Sequence, residues 1–211
     1  SASEILAGAL QDYGRAIVVG DSKTHGKGTV QSMANLKNGD PSLGTLKVTT
    51  ASFYRIAGGS TQMKGVTPDI VTPSILDSME VGEEYLPHAL MWSTVFPALY
   101  RRTADLESIL PVLKQQSVER QQKDPQFVAY RSLIEQLGER QKASDISLNL
   151  DERLKFARSE KELQKLLQKT DGKDAEKDKN NQDIILNEAL KILSDFTILQ
   201  KKPTDVITAG L

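Results

Sequence analysis

The sequence has no cysteine, two histidines, one tryptophan and five phenylalanines. Without cysteine there is no thiol nucleophile, no disulfide and no thiolate metal site. The compartment stays open, because a cysteine-free chain is equally at home in cytosol and periplasm. His25 and His88 lie far apart, outside any two-histidine ligand spacing, so the sequence calls for no metal ion and no cofactor. No apolar run approaches the roughly 20 residues that cross a bilayer, and no basic stretch leads into an apolar core as an export signal would. Net charge is lacking too: 27 basic against 28 acidic side chains leave −1. That removes any global electrostatic reason to bind nucleic acid or anionic lipid. A Walker-type phosphate loop is also missing, since Gly26-Lys27-Gly28-Thr29 copies only its end.

The 211 residues that are present, 38% apolar and 26% charged, suffice for a sizeable core. Their composition averages two unlike halves. Residues 1 to about 75 carry most of the glycines and β-branched runs and read as mixed α/β, whereas residues 80 to 211 are rich in Lys, Glu, Gln and Leu and read as helical. The expected domains are 1–78 and 79–211. In the first half a helix from Ser1 carries Ile5, Leu6, Ala9 and Leu10 on one side and ends near Gly14. Arg15 to Gly20 reads as a short buried strand. Gly26 to Gln31 leads into more extended sequence, and Leu46 to Ile56 and Thr61 to Val71 read as extended, with a hairpin-type break at Gly58-Gly59 and a turn at Val66-Thr67-Pro68-Asp69. Trp92 and Phe96 lie in an aromatic stretch, Tyr85 to Tyr100, expected to pack. Helical patterns follow over Asp105 to Gln122, with Pro111 as a kink or reset boundary, and from Asp124-Pro125 to Lys142. Two more span Leu150 to Gln168 and Gln182 to Leu199, separated by a polar linker near 170–181.

The most informative residues are at the front. Ser1-Ala2-Ser3-Glu4-Ile5, Asp12-Tyr13-Gly14-Arg15-Ala16 and Gly26-Lys27-Gly28-Thr29-Val30-Gln31 form a co-linear series. Phe53-Tyr54-Arg55, Gly58-Gly59-Ser60-Thr61-Gln62 and Gly65-Val66-Thr67-Pro68-Asp69-Ile70 extend it. This series resembles the core of the tail-specific, or carboxyl-terminal processing, serine proteases, and most of all their long periplasmic branch with its helical C-terminal extension. Asp124-Pro125 and Ser147-Leu148-Asn149 are similar, more weakly, to stretches of that extension. The resemblance implies an α/β fold, part of a crotonase/ClpP-like protease core, followed by an all-α extension. It implies a Ser/Lys dyad with Ser1 as nucleophile and Lys27 as general base. Gln31 then helps to position the lysine, and Asp12 matches an acidic residue important for activity or structure. The turn Asp21-Ser22-Lys23-Thr24-His25 is one residue longer than usual for the family.

A dyad of this kind makes physical demands of its own. A lysine of ordinary pKa, about 10.4, is protonated at neutral pH and accepts no proton from serine. Lowering that by ~3 units needs about 4 kcal/mol of differential solvation, hence a closed, largely apolar surround. Gly26 and Gly28 would let the backbone approach, and the apolar side of the first helix would supply the walls. The Ala2 backbone N–H, next to the nucleophile at a helix start, would serve as oxyanion donor, a contact worth about 3 kcal/mol. On spacing alone other roles fit as well: Ser1 and Ser3 as helix N-caps, Lys27 as a turn lysine, Gln31 as a polar strand residue and Asp12 as a solvated helix residue.

Because numbering starts on Ser1, the expectation is a C-terminal fragment of an exported, periplasmic protease. Its peptide-binding PDZ module and earlier strands would lie upstream, and the isolated chain would have little or no activity. The implied partners are polypeptides with apolar C-terminal tails and an adaptor protein. Two other readings stand beside this one. In the first the Ser1 amine acts as its own base, as in N-terminal nucleophile hydrolases. In the second the helical half is an adaptor-binding or oligomerisation module carrying an inactive protease remnant.

Overall fold

The structure, a computed structural model, describes residues 2–36, 44–104, 106–142, 147–158 and 183–200, with the side chains of all of these except 140–142. The chain divides into two compact units, Ser1–Val71 with Met79–Leu106 and Thr72–Ser78 with Glu107–Leu211.

In the first unit, helix α1 (Ala2–Asp12) is built from good helix formers, with Glu4 in the first turn where a carboxylate suits the helix dipole. Its buried residues are Glu4, Gly8 and Asp12, while Ile5 and Leu6, expected to face inward, are 47% and 61% exposed. The reason lies in what packs there: the Gly26–Lys27 loop, which presents backbone N–H groups to Glu4, and, from the segment after β3, the Arg55 guanidinium, which meets Asp12, donors that need acceptors rather than methyl groups. The helix ends as Gly14 N donates to Gln11 O at 3.0 Å and Arg15 N to Leu10 O at 2.8 Å.

Strand β1 (Val19–Gly20) pairs in parallel with β4 (Ile70–Val71). The run from Arg15 predicts a longer buried strand, yet only its last two residues pair and both are half-buried. The partner is short because Pro68 lacks an N–H and the Asp69 carboxylate takes the Val18 N–H at 2.8 Å. Strands β2 (Thr29–Asn35) and β3 (Thr45–Ser52) pair antiparallel from Thr29↔Ser52 to Asn35↔Thr45, with a bulge where the register shifts between Val30 and Gln31. Except for Thr29, both strands are exposed along their length. Beyond Ser52 the predicted extension continues only as a bridge from Tyr54 to Ser60 around the Gly58-Gly59 turn. The predicted extended segment from Thr61 is turned rather than straight up to Ile70, with Met63 at φ 62° and Gly65 at φ 66°.

Residues 79–106 wrap the same unit through backbone hydrogen bonds: Glu83 N to His25 O, Ser60 N to Ser93 O, Val95 N to Gly58 O and Thr103 N to Tyr13 O. Trp92 Nε1 donates to Ser60 O at 2.9 Å, and the Lys64 ammonium lies 3.4 Å from the Trp92 ring centre. Phe96, expected to pack, is 98% exposed.

The second unit is helical. Helix α2 (Leu110–Lys123) has Pro111 in its first turn, where a missing N–H costs nothing, so this proline marks the helix start instead of kinking it. Asp124 closes α2 by donating its N–H to Arg120 O and opens α3 (Pro125–Lys142) by accepting from Gln126 N at 2.9 Å. Helix α4 covers 150–158 and is capped by Asn149 Oδ1 on Asp151 N, and α5 (Ile184–Gln200) is capped by Asp183 Oδ1 on Ile185 N. The predicted linker near 170–181 lies outside the described residues. Leu113, Phe127, Leu133, Ile184 and Ile192 form the core. Within it the Glu188 carboxylate is fully buried, accepting from Ser117 Oγ at 2.8 Å and Arg120 Nε at 3.0 Å. Burial works against the Arg120 charge, but its hydrogen bonds to Glu188 and Asp195 outweigh that and raise its pKa. No helix among the described residues is long and apolar enough to cross a membrane.

Candidate active site

Lys27 sits two residues before β2, in a turn whose backbone is gripped from several sides. Its ammonium donates to Gln31 Oε1 at 2.9 Å, across the bulge at Val30/Gln31, and Gln31 Nε2 lies 3.5 Å from Thr49 Oγ1 on β3. The structure therefore brings Lys27 and Gln31 together. Lys27 is half-buried and Gln31 exposed. The closed apolar surround expected for a general-base lysine is thus not formed among the described residues, because α1 turns its polar stripe, not its leucines, toward this loop.

Behind the lysine stands Glu4, which is 3% exposed. Its Oε1 accepts from Thr24 Oγ1 and Gly26 N, both at 2.6 Å, and its Oε2 accepts from Lys27 N at 3.1 Å. A single side chain of α1 thereby fixes the backbone that carries Lys27. Thr24 is tied in turn to the loop after β3, accepting from Val66 N at 2.8 Å. Gly28 explains the tight fit on the other side: a Cβ there would stand 2.6 Å from both Gln62 N and Ser60 Oγ.

Asp12 has a different setting. It is 7% exposed and receives a two-pronged hydrogen bond from Arg55, Nε to Oδ2 at 3.0 Å and Nη2 to Oδ1, while the same Nη2 reaches Gln11 Oε1 at 2.7 Å. This pairing joins the end of α1 to the segment after β3, and among the described residues Asp12 is hydrogen-bonded to Arg55 and not to Lys27 or Gln31. Ala2 is the first residue of α1 and is exposed, so its backbone N–H is among those without an acceptor inside the helix. Ser1 lies outside the described residues. His25 is engaged elsewhere, with Nε2 3.6 Å from Glu83 Oε2.

Sequence reasoning missed Glu4 and Arg55 as organisers of this region. For Glu4 the signal was present, an acidic residue among small and apolar ones three positions after Ser1, but its partners begin 20 residues downstream. Arg55 stands in the Phe53-Tyr54-Arg55 block, where nothing local marks its partner as Asp12.

Comparison with known proteins adds a second line of evidence. Residues 1–72 match the family model described as Peptidase family S41, and residues 76–197 match that described as the C-terminal domain of tail specific protease. Across 94% of its length the chain is 38% identical to the tail-specific protease of Haemophilus influenzae, covering 31% of that protein. Over 39% of its length it is 49% identical to the carboxy-terminal-processing protease of Bartonella bacilliformis, and over 37% it is 44% identical to the chloroplastic carboxyl-terminal-processing peptidase 3 of Arabidopsis thaliana. These matches cover 18% and 14% of the relatives. The chain thus spans less than a third of the length of the curated relatives it matches.

Proposed function

The chain belongs to the tail-specific protease family, and on that premise we propose that it carries the catalytic groups of a serine endopeptidase acting through a Ser/Lys dyad. Ser1 Oγ attacks the scissile carbonyl, Lys27 Nζ takes the hydroxyl proton and later returns it to the leaving amine, and the Ala2 N–H faces the developing oxyanion. Gln31 holds the lysine by its amide oxygen. Asp12 supports the site from a distance through Arg55. The observation that carries this reading is the 2.9 Å hydrogen bond between Lys27 and Gln31, made on a loop that Glu4 of α1 grips three residues after Ser1. It takes the α/β part as a piece of a crotonase/ClpP-like core. Substrates are exported polypeptides with apolar C-terminal tails, and the site of action is the periplasm. The 211 residues alone cleave little, a view supported by the exposure of the β2–β3 hairpin along its whole length after Thr29.

The test uses the complete protease and an unstructured polypeptide ending in apolar residues. Ser1→Ala and Lys27→Ala are each expected to lower kcat by roughly 10³-fold or more with KM little changed, and charged residues at the substrate C-terminus slow cleavage by the unaltered enzyme. Full activity in either variant refutes the dyad and leaves the chain as a helical docking module with a protease remnant.

A further inference from the structure

A second grip on the Lys27 turn comes from residues that the dyad does not use. Gln62 is 3% exposed and Glu83 9% exposed. Gln62 Oε1 accepts from Gly28 N at 2.8 Å, and its Nε2 donates to Glu83 Oε1 at 3.2 Å. The Glu83 backbone N–H donates to His25 O at 2.8 Å, and Glu83 Oε2 faces His25 Nε2 at 3.6 Å. These bonds close a ring around His25-Gly26-Lys27-Gly28: one end of the turn hangs on the Glu83 backbone, the other on the Gln62 amide, and the two side chains join across the middle. Met63 N, donating to Gly26 O at 2.7 Å, fastens the turn between them.

The chemistry of the pair is directional. Gly28 N–H needs an acceptor and the Glu83 carboxylate needs a donor, so the Gln62 amide has one orientation that serves both, and flipping it loses both bonds. The main-chain partners of this pair, His25 and Gly28, flank Lys27 in the chain, and neither backbone group is one that Glu4 holds. Glu83 lies beyond residues 1–72, the part that matches the peptidase family model.

We propose that Gln62 and Glu83 form a positioning pair that sets the placement of Lys27, so that the stretch after the peptidase core supplies a residue to the catalytic turn. The proposal rests on Lys27 as general base. Displacing a catalytic group by about 1 Å can cost 10²-fold in rate, and an effect on the chemical step falls on kcat and not on KM.

Four variants of the complete protease test it: Glu83→Ala, Glu83→Gln, Gln62→Glu and the exchange Gln62→Glu with Glu83→Gln. Glu83→Ala should lower kcat about 10- to 100-fold with KM within about twofold. Glu83→Gln keeps an acceptor for Gln62 Nε2 and should stay within about threefold of the unaltered enzyme. Gln62→Glu sets two carboxylates face to face and should fall like Glu83→Ala. The exchange restores an acceptor for Gly28 N and a donor between the side chains, and it should recover to within about threefold. An exchanged enzyme that melts like the unaltered one but cleaves no faster than Gln62→Glu overturns the proposal, as does full kcat in Glu83→Ala. Should Gln62→Glu fail to fold, the two Glu83 variants decide: unequal kcat supports the pair, equal kcat overturns it. Lys27→Ala separates the two levels. If it cleaves normally, the base assignment fails and the pair with it; if it is inactive while Glu83→Ala is fully active, the pair alone fails.

Discussion

Replacing Glu4 by alanine should loosen the Lys27 turn by an amount that can be worked from its bonds. Among the described residues three donors lose their acceptor: Thr24 Oγ1 and Gly26 N at 2.6 Å, and Lys27 N at 3.1 Å. Hydrogen bonds to a charged partner contribute about 1.5–3 kcal/mol each, but they do not add here. Lys27 N is only partly buried and water can replace the carboxylate there, and Thr24 Oγ1 keeps its bond from Val66 N. Gly26 N is buried and is left without this acceptor, at a cost of about 1–3 kcal/mol. A local loss of about 3 kcal/mol results, which corresponds to roughly 100-fold faster amide exchange at Gly26 and Lys27. Glu4→Gln keeps an oxygen for Thr24 and Gly26 and, of these three bonds, loses the one to Lys27 N, about 1 kcal/mol or roughly fivefold. The assay is residue-resolved hydrogen exchange of the 211-residue chain, in which the two variants should rank apart at these two amides. Exchange within twofold of the unaltered chain in Glu4→Ala, or equal exchange in the two variants, would refute the reasoning.

Two further outcomes follow from the geometry. Glu188→Ala leaves Arg120 and Ser117 without their buried acceptor and should destabilise the helical unit by about 3–5 kcal/mol, whereas Glu188→Leu with Arg120→Met should lie within about 1 kcal/mol of the unaltered chain or above it; urea unfolding followed by circular dichroism reads both, and an unchanged midpoint in Glu188→Ala counts against the pairing. Gly65→Ala places a Cβ 2.4 Å from Thr24 O at φ +66°, so strain and overlap together should cost about 3 kcal/mol in the first unit, seen as early loss of amide protection at Thr24 and Val66.

Local grammar made the helical unit readable. Asp124-Pro125 announces the start of α3 because an acceptor side chain followed by a residue without an N–H is what a helix N-terminus needs, and the predicted span from there through Lys142 is helical in the structure. The final helix differs from its predicted span by two residues at its start and one at its end. The first unit was legible in outline, since α1, the break at Gly58-Gly59 and the extended β2 and β3 segments are all local patterns. Its details were not, because they depend on partners distant in sequence. Arg15 to Gly20 has the composition of a strand, but strand length is set by the partner, and Ile70–Val71 offers only two residues. The apolar side of α1 was read as a wall because periodicity says which residues share a face, not which face is covered, and here buried donors chose the side with Glu4 and Asp12. At the site, Lys27 and Gln31 are close in the chain and meet in space, whereas Asp12 turns to Arg55, 43 residues away. The first residue, expected to be the nucleophile, lies outside the described residues.

The chain crosses between its two units three times, after Val71, after Ser78 and after Leu106. A protein made vectorially folds its domains as units in the order they emerge, but this order is interleaved. When Val71 has left the ribosome, the Gly58 carbonyl, the Ser60 N–H and the His25 carbonyl still await the segment that pairs with them, and Thr72–Ser78, which belongs to the helical unit, emerges first. The first unit can close only about 35 residues later, with the second already begun. Nascent-chain folding should therefore show no stable intermediate ending at the peptidase boundary, and a chaperone acting during synthesis would meet the Lys27 turn open on the side that Glu83 later covers.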